Sequence, residues 1–333
     1  MKGLHIHLNG VFFLKMSNEA LQNNSRNVSE KISTREIDLV IVESCIFIIL
    51  DLAALAGNVM VCLALYRNAA LRKVPNYFVL SLALTDLAIA VFVIPLSASS
   101  SIANRWVFGT VGCQIRYFCA HSMSAISLVT LMLLAINRCF VVTRPVLYRG
   151  IYSKKRAFLM ILASWLVPIT VVLVFYFAAG LHFQPLVKQP ADCFLYSRDA
   201  NGLAAARIVR ILWISVPSLV VLICYLKIFR AIRQHNRAVA SSLRLGYSSF
   251  GVDEAKMTRT LTAVVVGFYI SWSPVLFSIF LEKLNAISET TFKYYNFYFS
   301  FPYFISSVIN PVIYTIMSRP FRKEFLKILH FQY

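Results

Sequence analysis

The chain has 333 residues, of which 59% are hydrophobic and only 14% charged, against about 25% charged in a soluble domain. A net charge of +19 does not mark a nucleic-acid groove, because the basic residues gather in short loops between long apolar runs. Composition therefore excludes a soluble protein and a nucleic-acid binder, and describes a chain that crosses a membrane several times.

Taken in order, residues 1–38 form an arm without a convincing cleavable signal. Met16 offers an alternative start, so residues 1–15 need not belong to the mature arm. Asn23-Asn24-Ser25 and Asn27-Val28-Ser29 are sequons, with Asn23 and Asn27 as the acceptors. Seven apolar segments follow, over 39–66, 76–99, 111–141, 156–180, 205–232, 255–281 and 292–316, each long enough to span a bilayer. An odd count puts the two termini on opposite sides. The loops after the first, third and fifth spans, with the tail, carry Arg67, Arg72, Lys73, Arg144, Lys154, Lys155, Arg233, Arg322 and Lys323. Only Asp253, Glu254 and Glu324 oppose them. Basic loops stay in the cytoplasm, so the N-terminal arm lies outside, and the protein is expected in the plasma membrane. The last residues, 318–333, comprise an amphipathic helix on the membrane over Pro320 to Leu329, with Phe321, Phe325, Leu326 and Leu329 turned inward, and a short cytoplasmic tail. The basic inner face suits anionic lipid head groups.

Of the seven cysteines, Cys113 at the outer end of span 3 and Cys193 in the loop after span 4 lie on the oxidising side. A disulfide is expected there. The other five sit in spans or at their inner ends as small apolar residues.

Polar groups within spans turn toward the bundle interior. Tyr303, Ser307, Asn310 and Tyr314 fall on one face of span 7, and Asp51 and Asn58 on one face of span 1. Positions 116, 127 and 138 recur at intervals of eleven, about three helical turns. Arg116, Ser127 and Arg138 therefore draw one inward stripe through span 3. A lone serine or asparagine in such a stripe most often bonds a neighbouring helix. Asp86 in span 2 differs, since a buried carboxylate without a partner takes up a proton or a cation. With Asn58, Ser127, Ser307 and Asn310 around it, Asp86 suits a hydrated Na⁺.

These pieces resemble the rhodopsin family (class A) of G-protein-coupled receptors over about residues 40–330. The resemblance rests on "GNVMV" at Gly57–Val61, "LALTDLA" at Leu82–Ala88, Cys113, "NRC" at Asn137–Cys139 and Trp165. It continues through Pro217 with Tyr225, "SWSP" at Ser271–Pro274, "NPVIY" at Asn310–Tyr314 and "FRKEF" at Phe321–Phe325. It implies an all-α bundle of seven transmembrane helices over 39–317 with a short eighth helix. By that likeness Asn310 faces Asp86, and Pro311 makes a two-state bend of span 7 inexpensive. Tyr314 swings toward Tyr225, and Trp272, above the kink at Pro274, is the pivot. Arg138 contacts the G protein and pairs at rest with Glu254, an ion pair suited to a switch. Arrestin and a receptor kinase are further partners that the likeness implies. Two departures stand out. Asn137 replaces the usual acid beside Arg138, which removes its adjacent counter-charge, and Cys139 replaces the usual tyrosine. "GNVMV" and "NYFVLSLA" also resemble parts of melatonin and adenosine receptors.

The same likeness narrows the ligand. Retinal-binding relatives carry a lysine where this chain has Phe304, and amine receptors an aspartate where it has Ala120. The outer half is instead basic and aromatic, with Arg116, Arg207, Arg210 and His182 near Trp213 and Tyr303. An arginine there matches a carboxylate or phosphate, or else snorkels to the interface. His121, Ser124, Trp272 and Ser300 complete the expected pocket for a small extracellular ligand. No nucleophile–base set or metal-type Cys/His spacing points to an enzyme or a cofactor beyond Na⁺. A channel or transporter using the polar core, a light-sensing opsin relative, and a scaffold without signalling are the competing readings.

Overall fold

A computed structural model describes residues 37–103, 105–178, 181–185, 193–197, 200–241, 252–283 and 289–330. Apolar stretches without enough polar side chains to face water form long helices, because in hydrocarbon each backbone group must bond within its own segment. The first span is α1 (Ile37–Arg67). The second is built from α2 (Val74–Phe92) and α3 (Ile94–Ile102), and the third is α4 (Gly109–Thr143). The short α5 (Pro145–Ile151) leads into the fourth span, α6 (Lys154–Ala178). Spans five to seven are α7 (Ala200–Ser241), α8 (Val252–Lys283) and α9 (Glu289–Met317), and α10 (Arg319–Leu329) follows. Among the described residues, five helices are long and apolar enough to cross a membrane, and Phe301–Met317 is a shorter apolar stretch.

Span 2 departs from the single helix that its apolar run suggests. It breaks at Val93, and α3 restarts with Pro95 in its first turn. A proline ring clashes with the carbonyl four residues back and has no N–H to give. The break therefore precedes Pro95 and re-aims the serine-rich turn Ser97–Ser101 into the bundle, where Ser97, Ser100 and Ser101 are buried. The helices also enclose internal prolines at Pro168, Pro217, Pro274, Pro302 and Pro311. A second unforeseen feature is a β-hairpin between spans 4 and 5: β1 (Leu181–Pro185) pairs antiparallel with β2 (Cys193–Ser197) and lies against α4.

Span 3 is the hub. It packs against spans 2, 4, 5 and 6, while spans 6 and 7 pack together and span 7 closes on span 1. Its buried face includes Ile126, Ser127, Leu131, Leu134 and Arg138. Large apolar side chains such as Ile49, Phe158, Phe177 and Ile270 are exposed on the outside, where a bilayer is their solvent. The inner core joins Val61, Phe78, Leu82, Leu131, Val264 and Tyr314 in one cluster.

Helix α10 refines the expected inward face. Phe321 and Phe325 are buried, and Tyr314 stacks on Phe321 at 5.3 Å. Leu326 and Leu329, however, are exposed, so they turn away from the bundle toward the side an amphipathic helix offers to a membrane surface. Glu324 holds the helix in place, its Oε1 accepting from Asn68 Nδ2 and from Lys327 Nζ, each at 3.0 Å. The Lys327 and Asn68 donors together hold the Glu324 carboxyl below its usual range. A depressed folded-state pKa stabilises docking above the ordinary carboxylate range and stops doing so as pH falls toward the folded value. Glu324→Gln should raise hydrogen exchange in α10 at neutral pH, and acidification of the wild type should raise it in the same amides. Equal protection in both proteins at neutral pH would contradict this role.

Candidate functional site

The polar seam lies where spans 1, 2, 3 and 7 meet. Asn310 Nδ2 donates to Asp86 Oδ2 at 2.9 Å. Asn58 Nδ2 donates to the Ser307 carbonyl at 2.8 Å and to its own helix at Ala54 O. Thr85 and Ser127 hydroxyls bond at 2.9 Å, tying span 2 to span 3. Asn58, Ser127, Ser307, Asp86 and Asn310 are all buried, so the stripes of spans 1, 3 and 7 turn inward together with the lone acid of span 2. The Ser307 carbonyl would normally take the N–H of residue 311, which is proline and has none. The proline thus leaves that carbonyl to Asn58.

The seam has more acceptors than donors. Asn58 Oδ1 and Asn310 Oδ1 are buried without a hydrogen-bond partner. Ser307 Oγ lies beside Asp86 but makes no hydrogen bond of standard geometry. Three surplus oxygens and a carboxylate are the donor set that a hard monovalent cation takes, and these residues fit Na⁺.

Span 1 packs closely on this proline. A Cβ placed at Gly57 would stand 2.9 Å from Pro311 Cβ and Cγ, so span 1 approaches Pro311 this closely only because residue 57 has no side chain. Gly57→Ala should push the helices apart and cost about 1–3 kcal/mol, as overpacking does. The melting temperature of the purified protein should fall, and an unchanged one would show that the contact gives way freely.

At the inner end Arg138 is 1% exposed, and its Nε and Nη2 donate to Asn137 Oδ1 at 3.2 and 2.8 Å. The neighbouring asparagine therefore lacks the acid's charge but keeps its role as acceptor. The Glu254 side chain lies outside the described residues. Tyr225 Oη and Tyr314 Oη are both buried without a hydrogen-bond partner. Above them Trp272 stacks on Phe268 at 5.2 Å and meets Tyr303 edge-on at 5.1 Å. Pro274 lies within the same helix, α8.

In the outer half, Ser124 Oγ donates to Tyr303 Oη at 3.1 Å, one helical turn from Ala120. His121 stacks on Tyr117 with ring centroids 3.7 Å apart. Arg116 Nε donates to Ser97 Oγ at 2.9 Å, and Trp213 Nε1 is buried without a partner. Phe304 is buried and packs on Phe47 at 5.7 Å, so the position that holds a lysine in retinal-binding relatives belongs here to an aromatic contact with span 1. Cys113 is disulfide-bonded, whereas Cys45, Cys62, Cys119, Cys139 and Cys224 are free. The side chains of Cys193, His182, Arg207, Arg210 and Ser300 and the acceptors Asn23 and Asn27 lie outside the described residues.

One buried acid escaped the sequence reading. Glu43 in span 1 is 2% exposed and accepts from Ser101 Oγ at 2.9 Å. The signal was there, a glutamate inside the apolar run "LVIVESCIFIIL", in a place where charge is rare and costly.

The chain is similar over most of its length to known proteins. Melanopsin-A of Danio rerio is 29% identical over 291 residues, covering 85% of this chain and 48% of that protein. The histamine H2 receptor of Cavia porcellus is 28% identical over 294 residues, covering 85% of this chain and 77% of that one. The chain thus spans about half the length of the melanopsin. The crystal structure of squid rhodopsin shares the fold, with a TM-score of 0.76 at 20% identity over 90% of this chain and 87% of that one. The protein is accordingly a multi-pass membrane protein with the seven-helix fold. Residues 57–314, most of the chain and the very stretch from the tight glycine of span 1 to the tyrosine that closes the NPVIY run, match the 7 transmembrane receptor (rhodopsin family), and the chain belongs to that family.

Proposed function

We propose that the protein is a G-protein-coupled receptor of the plasma membrane with its N-terminus outside. It takes a small ligand in the outer half of the bundle and activates a heterotrimeric G protein when the inner ends of spans 5, 6 and 7 open. The observation that carries this reading is the Asn310–Asp86 hydrogen bond beside Pro311. A buried polar contact beside a proline inside a helix is a two-state element, and a cation bound at the surplus oxygens biases it toward one state. Na⁺, when bound, supplies a positive charge to Asp86. Asp86 and Asn310 hold spans 2 and 7 in register, and Asn58 fixes the Ser307 carbonyl. Motion of span 7 would carry Tyr314 off Phe321 toward Tyr225, giving both orphaned phenol oxygens a route to new partners.

At the cytoplasmic end, release of Arg138 from Asn137, and from Glu254 if the expected pair forms, would present a guanidinium to the G protein. Arrestin and a receptor kinase are proposed as the partners that end the signal, with Ser241, Ser242, Ser248 and Ser249 of the third inner loop as phosphate acceptors. A Cys113–Cys193 disulfide and glycans at Asn23 and Asn27 belong to the same outward orientation. Phe304 offers no amine for a retinal Schiff base, so light sensing through such a base is not part of this reading. The test is nucleotide exchange on purified heterotrimers by the reconstituted receptor. Exchange above that of empty vesicles supports the reading, whereas ion flux without exchange would favour a channel or transporter.

A further inference from the structure

Among the described residues, spans 5 and 6 scarcely approach each other through the backbone: span 5 packs on span 3, and span 6 on span 7. A side-chain bond bridges them. Tyr269 Oη of span 6 donates to Ser218 Oγ of span 5 at 2.9 Å. The serine gives its own proton to the Ile214 carbonyl at 2.6 Å, so its hydroxyl is left as an acceptor and the bond has one direction. The tyrosine is held from the other side as well. Its ring meets Phe268 edge-on at 5.7 Å, and Phe268 stacks on Trp272 at 5.2 Å.

The bond lies just inward of a weak point of span 6. Pro274 has no N–H for the Ile270 carbonyl, and Ser273 Oγ takes that carbonyl instead at 2.8 Å. Span 6 can therefore change direction there without leaving that carbonyl unsatisfied in hydrocarbon. Tyr269 stands five residues before Pro274, on the cytoplasmic part of the helix that such a change would swing. On span 5, Ser218 follows Pro217, which likewise withholds an N–H from the Trp213 carbonyl. In this arrangement Arg138 is still held by Asn137, so the tyrosine–serine bond belongs to the closed form of the inner end.

We propose that Tyr269 and Ser218 form a latch that holds span 6 against span 5 and keeps the inner ends closed until movement of Trp272, passed on through Phe268, draws the phenol off the serine. Tyr269 is thus a positioning residue for the signalling step, and the assignment rests on the receptor reading above. A neutral hydroxyl pair costs little to break, which suits a contact that has to open and form again.

The test takes two readouts from the full-length protein. One is hydrogen exchange of the inner turns of span 6, residues 256–263 within α8, which involves no G protein. The other is nucleotide exchange on heterotrimers by the reconstituted receptor. Tyr269→Phe keeps the ring and its contact with Phe268 but has no proton to donate, and Ser218→Ala removes the acceptor. Each should speed hydrogen exchange of those amides about fivefold, the ratio for one hydrogen bond of about 1 kcal/mol lost from the closed state. Span 3 should keep its protection, and basal nucleotide exchange should rise by the same factor. The double variant should go no further than either single one, because both changes remove one bond. Ser218→Thr, which keeps the hydroxyl, should behave as the wild type; if Ser218→Ala fails to fold, Tyr269→Phe and Ser218→Thr decide the matter. Unchanged protection of span 6, protection lost evenly through the bundle, additive effects in the double variant, or nucleotide exchange that is present but unmoved would each overturn the latch. Faster hydrogen exchange with nucleotide exchange absent from every protein would instead count against the signalling reading and leave the latch standing.

Discussion

Asp86→Asn is expected to erase the response of the protein to sodium. In the wild type, exchanging choline for Na⁺ at constant ionic strength should raise the melting temperature, because a cation bound to the folded state stabilises it by mass action. At a concentration 100 times the dissociation constant that effect is about 2.7 kcal/mol. The amide keeps the size of the carboxylate and its bond to Asn310 but loses the charge, so the variant should melt at the same temperature in both salts. The reciprocal protein, Asp86→Asn with Asn310→Asp, returns one carboxylate and one amide to the 2.9 Å contact. It should recover part of the sodium response that each single change disturbs. A response that survives Asp86→Asn would place the cation elsewhere.

The second large effect belongs to Arg138. Arg138→Ala should bring nucleotide exchange to background with the fold retained. The residue lies at the inner end of α4, and what is lost there is the cation offered to the partner. Asn137→Asp should act in the other direction. The 2.8 Å bond from Arg138 to Asn137 Oδ1 is now neutral on the acceptor side, and a carboxylate would make it charge-assisted and about twice as strong. A gain of about 1 kcal/mol in the resting state lowers basal exchange roughly fivefold. The added acid also makes the lock sensitive to protons. Basal exchange of Asn137→Asp should rise as pH falls through the carboxylate range, whereas this position contributes no such rise in the wild type. Equal basal exchange in the two proteins would show that Asn137 is not holding the arginine.

Much of this was legible in the sequence because hydrocarbon allows few solutions. The apolar runs announce the spans, and polar residues repeated at helical intervals on spans 1, 3 and 7 announce the seam that their side chains build. Spacing alone, however, does not say which polar atoms pair. That Asn58 reaches the Ser307 carbonyl depends on the proline four residues later, a three-dimensional consequence of a local rule. The break in span 2 was hidden by its hydrophobicity, which is the same for a straight and a broken helix; Pro95 was the available clue. Glu43 stands near a span end, where a single acid can face the interface, and only packing shows that it is buried. Asn137 was read as the loss of a counter-charge, since a motif comparison registers charge before hydrogen-bonding capacity. Leu326 and Leu329 separated from Phe321 and Phe325 because the apolar face of α10 is shared between the bundle and the surface beside it.

The claim on which all of this depends is that one buried contact between spans 2 and 7 governs what happens at Arg138. It is tested most directly by titrating Na⁺ into the reconstituted receptor and its Asp86→Asn variant while following G-protein nucleotide exchange without ligand. Exchange by the wild type should fall as Na⁺ rises, and exchange by the variant should stay flat. Parallel curves for the two proteins, or wild-type exchange indifferent to Na⁺, would contradict it.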